Sequence, residues 1–165
     1  NTYGLRSLKT KAEVNENTLF GVASNTKAFT TAALGQLIDQ GKLTWDTKVT
    51  DIIPEFKLND SYVTNEFTVR DLITHRCGLG LGAGDLMIFP AGNKTTKAEM
   101  IHNLRYLKPV SSFRSKFDYD NLLYIVAGEV IARVSGKGYD DYISENFFKP
   151  LGMNRSFLSI PKWVM

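Results

Sequence analysis

The stretch Leu19–Leu43, LFGVASNTKAFTTAALGQLIDQGKL, constrains the chain more than any other, because its hydrophobic pattern changes kind partway along. Leu19 to Ala23 reads as a short buried strand. From about Asn25 to Gln40, Phe29, Ala32, Ala33, Gln36 and Leu37 recur at helical spacing, and Gly41 is placed as the C-terminal cap. Ser24 and Lys27 stand at the junction, three residues apart and therefore on one face of the helix. A cation in a first helical turn opposes the helix dipole by roughly 0.3–1 kcal/mol. That field, together with desolvation, favours the uncharged amine, the form that can serve as a general base. Lys27 is thus a candidate to take the proton of Ser24 and make it a nucleophile, and the free N–H of Ser24 at the helix start is a candidate oxyanion donor. About one Ser-x-x-Lys is expected by chance in a chain of this length. The second one, Ser159-Ile-Pro-Lys162, contains Pro161 and precedes no amphipathic helix, so it reads as chance.

The 165 residues suffice for one domain, and with 43% apolar and 22% charged residues the composition is that of a globular protein. A net charge of +3, scattered along the chain and with no nucleic-acid motif, implies no nucleic-acid partner. A single cysteine, Cys77, excludes an internal disulfide; with two distant histidines it offers no metal-ligand set, and no cofactor is implied. Cys77 itself reads as a small packed residue beside a turn. The longest apolar run, Leu122–Ala132, contains Glu129 and falls well short of the about 20 residues a membrane span needs. No signal peptide is visible, and the start at Asn1 without methionine reads as a natural N-terminus removed.

Residues 3–14 read as a weak strand or hairpin arm. Leu43–Ile53 carries Leu43, Trp45, Val49, Ile52 and Ile53 and is ended by Pro54. Thr68–Asp71 resembles a capping box that opens a short helix through His75. Cys77–Asp85 is a glycine-rich loop. It follows a helix rather than a strand, the wrong context for phosphate binding, and reads as a flexible connector. Further helices are predicted from about Lys97 to Leu107 with Thr96 as N-cap, from Asn121 to Val134 stopped by Gly136, and from Tyr139 to Phe148 closed by Pro150. The Arg105–Lys116 stretch reads as a solvated surface, with a carboxylate-attracting rim as the lesser alternative.

FDYDNLLYIVAGEVI places Tyr119 and Asn121 just before an apolar helix, in the chain's only Tyr-x-Asn. FGVASNTKAFTTAALGQLIDQGKLTWD, FTVRDLITHRCGL, FDYDNLLYIVAGEVIARVSG and FFKPLGM follow in order. Together they resemble the serine β-lactamase-like and penicillin-binding protein family, which includes class C β-lactamases, D-alanyl-D-alanine carboxypeptidases, D-aminopeptidases and family VIII esterases. The resemblance spans roughly Gly4 to Met153. It implies an α+β fold: a helical lobe plus part of the antiparallel sheet of the β-lactamase/transpeptidase-like fold, forming one incomplete domain over 1–165.

It also implies roles. Ser24 corresponds to the acyl-accepting nucleophile, Lys27 to its base, and Tyr119 to a proton relay that titrates with the lysine as a unit. Asn121 corresponds to the residue that holds the lysine and contacts the substrate amide or ester. His75, in the LITH block, corresponds to a structural residue rather than a member of a Ser-His-Asp triad. The implied partner is a small-molecule or peptide substrate with an acyl group, and the implied location is periplasmic, secreted or envelope-associated.

The chain departs from the family pattern where a third motif, Lys-Thr-Gly or His-x-Gly on an edge strand, is expected. Ser135–Gly138 lies at a helix end and does not supply it. The N-terminal helix and first strands of the family are also not matched. The chain therefore reads as a central portion whose remainder lies outside these residues, is cleaved away or is supplied by another chain. Alone it is expected to be weakly active or inactive, since losing one oxyanion donor costs about 10²–10³ in turnover. Peptide, ester and β-lactam substrates all stay open, with a peptidase or esterase favoured. So do a non-catalytic penicillin-binding sensor or scaffold and a purely structural helical domain.

Overall fold

The computed structural model describes residues 1–90, 92 and 94–158. Two helices organise it: α1 (Thr26–Asp39) and α6 (Leu122–Ser135), which pack side by side. Each is too apolar to stand in water. α1 buries Ala33, Leu34 and Leu37, and α6 buries Leu122, Leu123, Val126, Ala127, Val130 and Ile131. Each such large side chain contributes about 1.5–3 kcal/mol on burial. Five short helices surround the pair: α2 (Val49–Ile52), α3 (Ser61–Glu66), α4 (Val69–Ile73), α5 (Lys97–Asn103) and α7 (Tyr139–Ile143). α7 runs on into a π turn, Ser144–Phe148. Hydroxyl contacts tie it to α1, Thr30 with Tyr139 at 2.7 Å and Tyr142 donating to Gln36 at 2.8 Å.

The helix ends follow their local chemistry. α1 stops at a Schellman motif in which Gly41, at φ +69°, donates to Ile38 O at 2.8 Å and Lys42 donates to Leu37 O at 3.0 Å. Gly136, at φ +71°, ends α6 with its N–H on Ala132 O at 2.9 Å. Thr96 caps α5 in a capping box with Glu99. Asp71 in α4 accepts from the Thr68 N–H at 2.9 Å and its hydroxyl at 2.8 Å. α5 passes into a 3₁₀ turn, Leu104–Tyr106, which completes the helical stretch read up to Leu107.

The expected part of an antiparallel sheet does not appear among the described residues. Among the described residues there are only two isolated antiparallel bridges, Leu5 with Glu13 and Lys48 with Thr68. The first is the predicted hairpin arm, with Arg6 N–H on Ala12 O at 2.9 Å and Val14 N–H on Gly4 O at 3.0 Å. The buried strand expected at Leu19–Ala23 is irregular instead, with Phe20 70% and Val22 56% exposed. A strand needs a neighbour to take its N–H and C=O groups, and no described segment pairs with this one.

The glycine-rich loop is more than a flexible connector. Gly78, at φ +91°, lies so close to the next layer that a Cβ there would sit 2.3 Å from the Ser111 carbonyl oxygen. Its own carbonyl accepts from Val110 N–H at 2.8 Å. Gly78→Ala combines left-handed strain of about 1–2 kcal/mol with this backbone clash. We expect a loss of more than about 2 kcal/mol in urea unfolding, whereas Gly136→Ala, where the Cβ meets open space, costs less.

Candidate active site

α1 and α6 bring their N-terminal ends together. A 3₁₀ turn, Ala23–Asn25, presents Ser24 just ahead of α1, and Lys27 lies in the first turn of that helix. Tyr119 precedes α6, whose N-cap is Asn121. The four predicted site residues meet across the junction. Ser24 Oγ lies 2.7 Å from Tyr119 Oη and accepts from Lys27 Nζ at 3.1 Å, while Lys27 Nζ also donates to Asn121 Oδ1 at 2.8 Å. Nζ further lies 4.8 Å from the Tyr119 ring centre and 5.2 Å from that of Tyr124. An amide oxygen and two ring faces all attract positive charge. Neither helix carries an acidic residue in its first turn, and the acid at the start of α6 is Asp120, just ahead of it.

Ala23, the residue before Ser24, has φ +43°, a left-handed conformation that turns the chain sharply into the helix.

Tyr119 is held from behind by His75, whose ring stacks on it at 4.5 Å between centres. His75 Nδ1 accepts from the Asp120 N–H at 3.1 Å, so the imidazole is engaged with backbone, as a supporting residue is. Burial, and then the charge of Lys27, lower its pKa below the ordinary histidine value. The Tyr119 phenol is also pushed below its ordinary value, first by hydrogen bonding to Lys27 and then by Ser24. Burial pushes the Cys77 thiol up to about 11, consistent with an inert packed residue.

Two residues of the site escaped sequence reasoning. Asp85, on the 3₁₀ turn Asp85–Met87 that ends the glycine-rich loop, accepts from Asn121 Nδ2 through both carboxylate oxygens, each at 3.1 Å. Asp120 is fully buried; its Oδ1 accepts from Leu123 N–H at 2.9 Å at the start of α6, while Oδ2 has no partner among the described residues. Their only sequence signals were an acid closing a glycine-rich run and an acid inside the Tyr-x-Asn.

A cleft of about 730 Å³ opens from Ser24 and Lys27 along Thr30, Tyr124, Ile125 and Tyr139. The Arg105–Lys116 stretch lines none of it and is mostly exposed, with none of its residues buried, as its composition implies. Arg114 holds Asp71 at 2.6 and 2.9 Å, and Arg105 donates to His102 O at 2.7 Å. Ser159 and Lys162 lie outside the described residues. Among the described residues no helix is long and apolar enough to cross a membrane.

The family model for Beta-lactamase matches residues 1–162. The chain belongs to the Beta-lactamase family. Within it, an unguisins hydrolase of Aspergillus campestris is 33% identical over 96% of this chain and 30% of that protein. The chain therefore spans about a third of the length of the curated relatives it matches. Among solved structures, a class C β-lactamase superposes with a TM-score of 0.78 at 28% identity, over 99% of this chain and 43% of that one. A D-amino acid amidase of Ochrobactrum anthropi SV3 gives 0.75 at 29%, over 92% and 40%.

Asp120 makes a pH prediction. Burial raises its carboxyl from 3.8 to about 6. A raised folded-state pKa means the folded protein binds the extra proton, so this contribution is fully present below about 3.9 and is lost as pH rises through about 6. We expect Asp120→Asn to gain on the parent protein by about 2–3 kcal/mol between pH 4 and 7 in urea unfolding measured at each pH.

Proposed function

We propose that this chain carries the nucleophile and proton-transfer groups of a serine hydrolase that works through an acyl-enzyme on Ser24. The observation that carries the reading is the placement of Ser24 Oγ between Tyr119 Oη at 2.7 Å and Lys27 Nζ at 3.1 Å. A serine hydroxyl alone is a weak nucleophile and needs a group in hydrogen-bond reach to take its proton.

In this reading Ser24 Oγ attacks the substrate carbonyl carbon as its proton passes to Lys27, the base of the Lys27–Tyr119 pair. The carbonyl oxygen gains negative charge toward the Ser24 N–H and the positive end of α1. Tyr119, whose acidified phenol gives up a proton more readily than free tyrosine, relays that proton to the departing nitrogen or oxygen. The bond to the leaving group breaks and the acyl group stays on Ser24. Water then attacks the acyl carbon, giving its proton to the same pair, which returns one to Ser24 Oγ. The pair exchanges protons as a unit, so neither group alone is the base at every step. Asn121 holds Lys27 Nζ in line through its Oδ1.

Peptide, ester and β-lactam carbonyls all suit this chemistry. The similarity to a protein described as a D-amino acid amidase supports amide substrates among them. Ile88, Phe89 and Ile125 along the cleft favour an apolar acyl side chain.

The test is covalent labelling of the full-length protein with a fluorophosphonate or a penicillin, read by peptide mass spectrometry. The adduct is expected on Ser24 and is lost in Ser24→Ala. Lys27→Arg keeps the charge but cannot accept a proton near neutral pH, and labelling should fall by about 10²–10⁴. Normal labelling of the arginine variant overturns the role given to Lys27. An adduct that persists with no turnover of esters or D-amino amides identifies an acyl sensor instead.

A further inference from the structure

The two ends of the Asn121 amide are alike in shape but opposite in chemistry, and only one orientation offers Lys27 an acceptor. The amide is turned that way, with Oδ1 2.8 Å from Lys27 Nζ and Nδ2 3.1 Å from each carboxylate oxygen of Asp85. An ionised carboxylate only accepts. A flipped amide would set Oδ1 against two anionic oxygens and Nδ2 against the N–H donors of Lys27, so both contacts would be lost at once. Asp85 thus fixes from one side what Lys27 fixes from the other.

The turn that carries Asp85 is held firmly. Asp85 N–H donates to Gly82 O at 3.1 Å, and Asp85 O accepts from Ile88 N–H at 2.9 Å and Phe89 N–H at 2.8 Å. Gly84, just before it, packs on the first residue of α6: a Cβ there would lie 2.3 Å from Leu122 Cδ1. The glycine-rich loop is therefore docked on the helix end that bears Asn121, and Asp85 reaches it from a fixed base.

We infer that Asp85 is a positioning residue for acylation, which locks the Asn121 amide and through it holds Lys27 Nζ against Ser24 Oγ. This rests on the serine hydrolase reading above. Asp85 does not touch the reacting atoms; it acts through Asn121. Its negative charge also offsets that of Lys27 in a cluster that includes Tyr119, Tyr124, His75 and Asp120. The Asp85 charge raises the Tyr119 phenol while Lys27 lowers it. Loss of that charge therefore makes the phenol more acidic, an effect that a merely structural loop residue would not produce.

The experiment measures the rate of Ser24 acylation by a p-nitrophenyl ester across pH, on the full-length protein. Asp85→Ala and the isosteric Asp85→Asn are compared with Asp85→Glu, with Asn121→Ala, and with the Asp85→Ala/Asn121→Ala pair. The two charge-removing variants are expected to acylate about 10–100-fold more slowly, as is typical for groups that orient a reacting side chain. Asp85→Glu should recover most of the rate. The rise of rate with pH that tracks the Lys27–Tyr119 pair should move to lower pH in Asp85→Asn. Because Asp85 works through Asn121, its removal should cost nothing further once Asn121 is alanine. Losses that multiply in the double variant, or wild-type rates and an unmoved profile in Asp85→Asn, overturn the inference. If the parent protein itself acquires no acyl group on Ser24, the hydrolase reading fails; if it does and only the Asp85 variants show no effect, the positioning role alone fails.

Discussion

Lys27 Nζ sits where a cation is least welcome on a helix, in the first turn, and the surrounding structure answers that placement. Asn121 Oδ1 and Ser24 Oγ accept from it, and the rings of Tyr119 and Tyr124 flank it. Each of these partners comes from a different step in the packing. The contact of α1 with α6 sets the distance across the junction. Tyr124, within α6, is pinned by its hydroxyl on the Ile73 carbonyl at the end of α4. His75, just beyond α4, stacks against Tyr119. Shifting any of these layers moves the lysine's partners, which ties the core to the chemistry more closely than their separation in sequence implies.

Much of this was legible in the sequence wherever local rules suffice. The helices could be read because an apolar stripe at helical spacing needs no knowledge of its partner, and Gly41, Gly136 and Thr96 punctuate them by backbone geometry alone. Ser24 and Lys27 could be read because three residues along a helix fix their proximity. The strand at Leu19–Ala23 could not be judged the same way. Its apolar run is equally compatible with a strand and with exposed irregular chain, and only a pairing neighbour decides between them. Asp85 and Asp120 were illegible for a related reason. Each is an ordinary acid in sequence, and its meaning comes from what the fold sets against it: an amide in one case, and in the other a buried position with one oxygen unpartnered among the described residues.

The relatives share an architecture while differing in what their descriptions name: a hydrolase of unguisins, an amidase of D-amino acids, a class C β-lactamase. A shared fold accommodates such a range when the chemical step is fixed and the cleft walls vary. In this chain the meeting of two helix ends builds the lysine site, and the glycine-rich loop docked on α6 brings a negative side chain to its edge.

The left-handed backbone at Ala23 has a consequence for which sequences this site can tolerate. A side chain branched at Cβ pays heavily for that conformation, and glycine would adopt it without strain but with a looser approach to the helix. Alanine is the smallest residue that still restrains the turn. The position just before Ser24 is therefore confined to a narrow choice by stereochemistry alone, whatever compound enters the cleft, and sequence drift there should be far more restricted than at its exposed neighbour Val22.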